Sequence, residues 1–366
     1  MKLSELELTP FRLILRFPLD GAHRPHRERD GIFLALRDDQ GRVGRGEATP
    51  LVEFGTETLA AASAALAVLA QMVRGSPVPR TCEEVDALIE KLGNLGSAPA
   101  TRCAVESALL DLAAQDAGVS VSQMLSPKAR PWTAVNALLS APDPEPLADE
   151  ALAAVQAGYA VLKVKVASRA LWDDARRLIA VRRAVGDEVK IRIDANGAWT
   201  EAEAATALRG LSPLKLELCE QPVPAGNHAA LRRLRWLVPC PIAADESVSQ
   251  PGGGDALLDG EDGPMADVLV LKPMALGGLL PSLRLARRAE QVGVGTYVTS
   301  AMDGVVARLG AAHLAAALPT AEWASGLGVG RMFEKDLGAD PCAPVGGRIH
   351  IPERSGLGLP AGWGIS

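Results

Sequence analysis

Residues 160–194 read AVLKVKVASRALWDDARRLIAVRRAVGDEVKIRID, and how this stretch is read decides the fold. It opens on a short β-branched run, 160–166, and ends on another, 189–194, with apolar residues at helical spacing over 170–185 between them. Two strands joined through a helix lie parallel, because parallel neighbours need a long crossover connection. The same texture continues on both sides, in 132–139 (WTAVNALL), 214–220 (LKLELCE), 241–245 (PIAAD), 267–272 (DVLVLK) and 294–300 (VGTYVTS), with 321–324 (AEWA) as a weaker eighth run. Helical stretches such as 280–292 lie between these runs. Seven or eight such units predict a closed α/β barrel of TIM type, in which all C-terminal strand ends meet on one face, where active sites form.

The N-terminal third has a different texture. Residues 31–47 (GIFLALRDDQGRVGRGE) carry two extended runs around the turn-rich Asp38-Asp39-Gln40-Gly41, which predicts a hairpin, and Leu3 to Phe17 supplies a further strand. From Thr56 to Gln115 the chain is rich in Ala and Leu, with Thr56, Thr81 and Thr101 as polar starts of helices. The expected division is an α+β capping domain over 1–120 and the barrel over 121–329.

The composition narrows the function classes. The 366 residues are 48% hydrophobic and 22% charged, with a formal net charge of −6. A globular chain of this balance has no basic stripe with which to displace counterions from nucleic acid or an anionic membrane. The one dense basic run, Arg24 to Arg29, is broken by Pro25 and Glu28. The first residues lack a signal-peptide pattern and no segment is long and apolar enough to span a bilayer, so a cytoplasmic location is expected. The five cysteines show no paired spacing, which speaks against a disulfide framework or a zinc site.

The polar residues closing the apolar runs carry the chemistry. Lys165, Asp194, Glu220, Asp245, Lys272 and Ser300 follow one another at intervals of 25 to 29 residues, one strand-helix unit each. Three carboxylates converging on one barrel mouth repel each other unless a cation neutralises them. An all-oxygen set without His or Cys selects a hard ion, Mg²⁺, with Mn²⁺ as the alternative. Gln221 and Lys272 each precede a proline, which favours extended backbone there. Asn196, two residues beyond Asp194, is placed to hold a metal-bound water or simply to form a loop turn. Lys163 and Lys165 share one strand face, and two adjacent cations lower each other's proton affinity, which favours one as a base; a structural ion pair with the carboxylates is the competing reading.

Taken together, K-V-K (163–165), D-A-N (194–196), E-Q-P (220–222), D-E-S (245–247) and L-K-P (271–273) resemble the enolase superfamily, in its muconate-lactonizing-enzyme subgroup. The resemblance implies a modified TIM-type (β/α)7β barrel behind an N-terminal cap, with the C-terminal segment from about 330 to 366 packing back on the cap. It implies that Asp194, Glu220 and Asp245 bind the metal, that Lys165 takes the proton beside a substrate carboxylate, and that Lys272 stands on the other side of the substrate. Within the subgroup, 46–59, 299–303 and 325–337 are most similar to o-succinylbenzoate synthases, dehydratases of menaquinone biosynthesis. On that likeness Lys165 also protonates the departing hydroxyl, and Ser300 and Gly326 are candidate substrate contacts beside Lys163 and Asn196. The stretch Thr299-Ser300-Ala301-Met302-Asp303 departs from the usual Ser-Ser pair, so the mode of carboxylate binding stays open.

Two rivals remain on these residues. One is an N-acylamino-acid racemase or dipeptide epimerase using Lys165 and Lys272 on opposite substrate faces; no D-x-D motif of the dipeptide epimerases follows the last strand. The other is an inert barrel kept as a binding or structural protein. His23 and His26 lack partner ligands and belong to a cap loop in which Arg24, Arg27 or Arg29 would attract carboxylates or be solvated. His313, within AAHLAAAL, reads as a core residue, as do Met72 and Met124, and the glycines 252–254 read as a connecting turn.

Overall fold

A computed structural model describes residues 1–19, 26–93, 95–360 and 362–364. His23, Arg24 and the side chain of His26 lie outside the described residues.

The chain opens with strands β1 (Leu3–Leu19), β2 (His26–Asp38) and β3 (Val43–Ala48), paired antiparallel in that order. The Asp38 carboxylate closes the β2–β3 turn by accepting from the backbone N–H groups of Gln40 and Arg42 at 2.9 Å each. Helices α1 (Leu59–Met72), α2 (Cys82–Leu92) and α3 (Pro99–Ala117) follow. Thr81 caps α2 as expected, but α1 is capped by Thr58 rather than Thr56, and α3 starts at Pro99 with Thr101 inside its first turn. Pro99 explains the difference: its fixed φ suits the first helical position and its missing N–H costs nothing there. β3 lies so close to α3 that a Cβ on Gly44 or Gly46 would sit 2.0 Å from the carbonyl oxygen of Ala108 or Ala104, so only glycine fits.

The short helix α4 (Val121–Leu125) leads to β4 (Trp132–Ala134), β5 (Ala137–Leu139) and then the repeating units: α5 (Pro144–Gln156), β6 (Val161–Lys165), α6 (Leu171–Val185), β7 (Lys190–Asp194), α7 (Glu201–Gly210), β8 (Leu218–Glu220), α8 (His228–Leu237), β9 (Ile242–Ala244), α9 (Glu246–Ser249), α10 (Gly253–Leu258), β10 (Val268–Leu271), α11 (Pro273–Leu276), α12 (Leu279–Gln291), β11 (Gly295–Val298) and α13 (Val305–Ala317). Strands β5 to β11 form one parallel sheet in chain order. The sheet curls until Ser325 bridges Val135 and Gly326 bridges Thr299, both parallel. Residues 325–326, not 321–324, are therefore the eighth, closing position; Trp323 instead packs beneath the lumen. The run 132–139 divides, since β4 pairs antiparallel with β12 (Arg348–His350) while β5 begins the barrel.

Beyond α13 the chain returns to the cap. Leu357 N–H donates to Asp111 at 2.8 Å, and the Trp363 ring lies 6.0 Å from Phe33. The ring of His313 is fully buried, accepting from Ser122 N–H at 3.1 Å and facing the Leu357 carbonyl at 3.2 Å; burial pushes it down to about 4, so it is neutral and structural. Gly252 caps α10 with φ 69°, which makes the glycine run a turn. Among the described residues no helix is long and apolar enough to cross a membrane.

Candidate active site

Side chains two apart on a strand share a face. In the lumen this alternation stacks a floor beneath a rim. Leu218, Ala243, Val268, Val270 and Tyr297 pack together as a separate apolar cluster, and the next same-face positions above them are Glu220, Asp245 and Lys272. Lys163 and Lys165 on β6, and Arg192 and Asp194 on β7, repeat the pattern.

The rim residues interlock. Lys163 Nζ lies 2.6 Å from Glu220 Oε2 and 3.0 Å from Asp194 Oδ2; Lys165 Nζ lies 3.1 Å from the same Asp194 oxygen. Lys272 pairs with Asp245, and its ammonium stands 4.4 Å from the centre of the Phe54 ring, which reaches over from the cap. The Asn196 amide bridges two side chains: Oδ1 accepts from Lys165 at 2.6 Å, and Nδ2 donates to Glu246 at 3.0 Å. Asn196 and Gln221 adopt φ 44° and 36°, so Gln221 is left-handed rather than extended despite the proline after it. Its carboxamide accounts for this strain, because Oε1 accepts from the N–H groups of Asp245 and Ser247 at 2.9 and 3.1 Å and thereby fixes Asp245. Lys272, with φ −108°, is extended as expected.

The charges settle accordingly. Burial opposes the charge on Lys163, but Asp194, Glu220 and Asp245 outweigh it and hold the ammonium above its ordinary range. The net shift at Lys163 is therefore upward rather than the lowering expected beside a second lysine, because three carboxylates surround it. Burial would raise Asp194, yet Lys163 and Lys165 hold it well below the usual carboxylate range. Burial, reinforced by the Asp194 charge, pushes Glu220 up to about 7. Burial also raises Asp245.

Among the described residues no group of three or more His, Cys, Asp or Glu stands in ready-made ligand geometry; lysines engage all three carboxylates instead. The donor chemistry nonetheless fits a hard cation, since Asp194, Glu220 and Asp245 are 1% exposed, line one cavity and offer only oxygen.

The remaining wall of that cavity is of another kind. It is made by Leu138, Met302, Val329 and Met332, with Gly326 placed so that a Cβ would meet Thr299 Oγ1 at 2.5 Å. Ser300 lines it too, but its hydroxyl donates to Asp303 at 3.2 Å and accepts from the Asp303 N–H at 2.9 Å. Sequence reasoning passed over Asn136, which is 5% exposed, lines the cavity and has an Oδ1 with no hydrogen-bond partner among the described residues. No signal marked it, since an Asn inside a strand run has no spacing partner. Tyr297, which donates to Glu220, was also unmarked, and Glu246 stood in the D-E-S motif without a role. Arg29 is 4% exposed and donates to the carbonyls of Thr49 and Pro50 at 2.8 and 3.2 Å, with the Met302 carbonyl at 3.4 Å, so it joins the cap to the barrel and is not free to attract a substrate.

Comparison with known proteins agrees with this architecture. Residues 6–126 match the family model for the mandelate racemase and muconate lactonizing enzyme N-terminal domain, and residues 146–361 match the enolase C-terminal domain-like model. The chain is similar to the L-Ala-D/L-Glu epimerase of Bacillus subtilis, with 30% identity over 98% of this chain and 97% of that one. The structure of that enzyme in a substrate-liganded complex superposes with a TM-score of 0.89 at 29% identity, covering 98% of each chain. The N-succinyl-L-Arg/Lys racemase of Bacillus cereus is 28% identical over 86% of this chain and 84% of its own. The o-succinylbenzoate synthase of Thermobifida fusca is 39% identical over 219 residues, 59% of this chain and 66% of its own.

Proposed function

This chain belongs to the enolase superfamily, in the branch of the muconate-lactonizing enzymes, and from that premise we propose that it is a Mg²⁺-dependent racemase of N-acylated amino acids. The carrying observation is the placement of two lysines. Lys165 ends β6 and Lys272 follows β10, the second and sixth of eight positions around the barrel, so they face each other across the cavity. One lysine takes the α-proton from one face and the other returns a proton to the opposite face, which inverts the carbon. Asp194, Glu220 and Asp245 would hold the Mg²⁺, which supplies positive charge where negative charge builds on the substrate carboxylate. Asn196 and Glu246 orient Lys165, and Phe54 covers Lys272 and keeps water from it.

The rest of the wall favours an acylated nitrogen. Apart from the three ligands, the acidic residue lining the cavity among the described residues is the exposed Glu53, a weak seat for a free ammonium, whereas Asn136 Oδ1, unpartnered among the described residues, suits an amide N–H. Similarity over 98% of this chain to an epimerase and over 86% to a racemase supports the two-base reading. Its test is incubation with Mg²⁺ and each enantiomer of an N-succinyl amino acid in deuterated water. Deuterium at the α-carbon with formation of the other enantiomer is expected; neither event from either enantiomer overturns the proposal.

One observation favours a second reading, the 39% identity to o-succinylbenzoate synthase, higher than the 28% and 30% of the other two relatives. There Lys165 removes the α-proton and then protonates the leaving hydroxyl, and Lys272 remains a cation beside the anionic intermediate. Side-by-side kcat/KM values on the N-succinyl amino acids and on the succinyl hydroxycyclohexadiene carboxylate rank the two.

A further inference from the structure

Tyr297 sits below the rim, 1% exposed, and belongs to the lumen floor. Its hydroxyl donates to Glu220 Oε2 at 2.6 Å. Lys163 donates to the same oxygen, also at 2.6 Å. Two donors from different strands therefore converge on one carboxylate oxygen and fix the rotation of the group. The ring that carries the hydroxyl is itself seated, because the Arg192 guanidinium lies 4.6 Å from its centre. Arg192 in turn is anchored to Glu217 and to the Ala324 carbonyl, the latter at 2.7 Å. The apolar neighbours Leu218, Val268 and Val270 leave the phenol little room to turn away.

We infer that Tyr297 is a positioning residue for the metal ligand Glu220: by occupying Oε2 together with Lys163 it leaves Oε1 as the oxygen presented to the ion. This rests on Asp194, Glu220 and Asp245 holding Mg²⁺. A hydrogen bond to the far oxygen fixes the ligand's orientation, and loss of such a partner typically lowers metal affinity about 10- to 100-fold. The ring would not touch substrate, so its effect is confined to the ion.

The chain has two tyrosines, Tyr159 and Tyr297, which makes the test direct. Mg²⁺ titrated calorimetrically into wild type and Tyr297→Phe should give a dissociation constant about 10-fold or more higher for the variant, with kcat and substrate KM recovered at saturating Mg²⁺. Protein labelled with 3-fluorotyrosine gives two ¹⁹F resonances, assigned with Tyr159→Phe, and the Tyr297 resonance should move on Mg²⁺ addition even if Tyr297→Phe does not fold. Equal Mg²⁺ affinity of variant and wild type, or a Tyr297 resonance indifferent to Mg²⁺ that binds, overturns this inference and leaves the metal site standing. Failure of wild type to bind Mg²⁺ at millimolar concentration overturns the metal site itself, and this inference with it.

Discussion

The two arcs of the barrel rim are built by opposite means. From β6 to β10 every strand end carries a charged residue, and these residues hold one another: lysines on carboxylates, Asn196 between Lys165 and Glu246, Gln221 on the Asp245 backbone. From β11 through 325–326 to β5 the lining is small, apolar or uncharged, and its support comes from the cap. Glu47 on β3 accepts from Gly304 N–H at 2.6 Å and Ala307 N–H at 3.0 Å, at the start of α13, while Arg29 ties the 302 carbonyl to the 49–50 loop. Reaction chemistry needs charges fixed within hydrogen-bond reach of each other, whereas a substrate-shaped wall needs only placement, which remote elements supply.

Removing Lys165 should break this contrast most severely. Lys165→Ala is expected to lose α-proton exchange from one enantiomer by about 10²- to 10⁴-fold, measured by NMR in deuterated water. Lys272→Ala should lose exchange from the opposite enantiomer and abolish racemisation while the first exchange survives. Loss of both exchanges in both variants would mean that the lysines do not divide the two faces.

The uncharged arc should respond differently. Asn136→Ala is expected to raise KM for N-succinyl amino acids about 10-fold, the scale of one lost hydrogen bond, with Mg²⁺ affinity unchanged by calorimetry. A matching fall in Mg²⁺ affinity would merge the two arcs functionally. A smaller effect is expected from Arg29→Met, a rise in KM of about threefold with little change in kcat, through slack between cap and barrel.

The smallest expected effect is on stability. Burial, aided by nearby Asp303, pushes Glu47 from 4.5 up to about 7. The folded state therefore binds a proton more tightly than the unfolded state, so this group's stabilisation is complete below its unfolded value and is lost as pH rises through about 7. Thermal melts should show a fall in Tm between pH 5.5 and 8 that is shallower in Glu47→Gln.

This contrast also explains what the sequence could disclose. Charges closing apolar runs at one unit's spacing stand out, so the parallel barrel and the convergence of Lys165, Asp194, Glu220, Asp245 and Lys272 were legible. Asn196 was legible as a position but not in its partners, because Glu246 is brought to it only by the fold. Gln221 looked extended beside proline, and tertiary hydrogen bonds overrode that preference. Asn136, Tyr297 and Glu47 were silent, since their significance lies in what faces them across the lumen or the cap boundary. The closing position was misplaced from 325–326 to 321–324 because two residues are too few to show a period.

Those two residues bind on both sides: Ser325 through Ala134 and Asn136, and Gly326 through Val298 and Ser300. They also emerge from the ribosome more than fifty residues after Lys272. Domains generally fold as they are synthesised from the N-terminus. The arc proposed to handle the proton has thus emerged while the arc proposed to shape the substrate site still lacks its seam, so a chain truncated near residue 320 would carry every proposed catalytic group and have no closed pocket in which to use them.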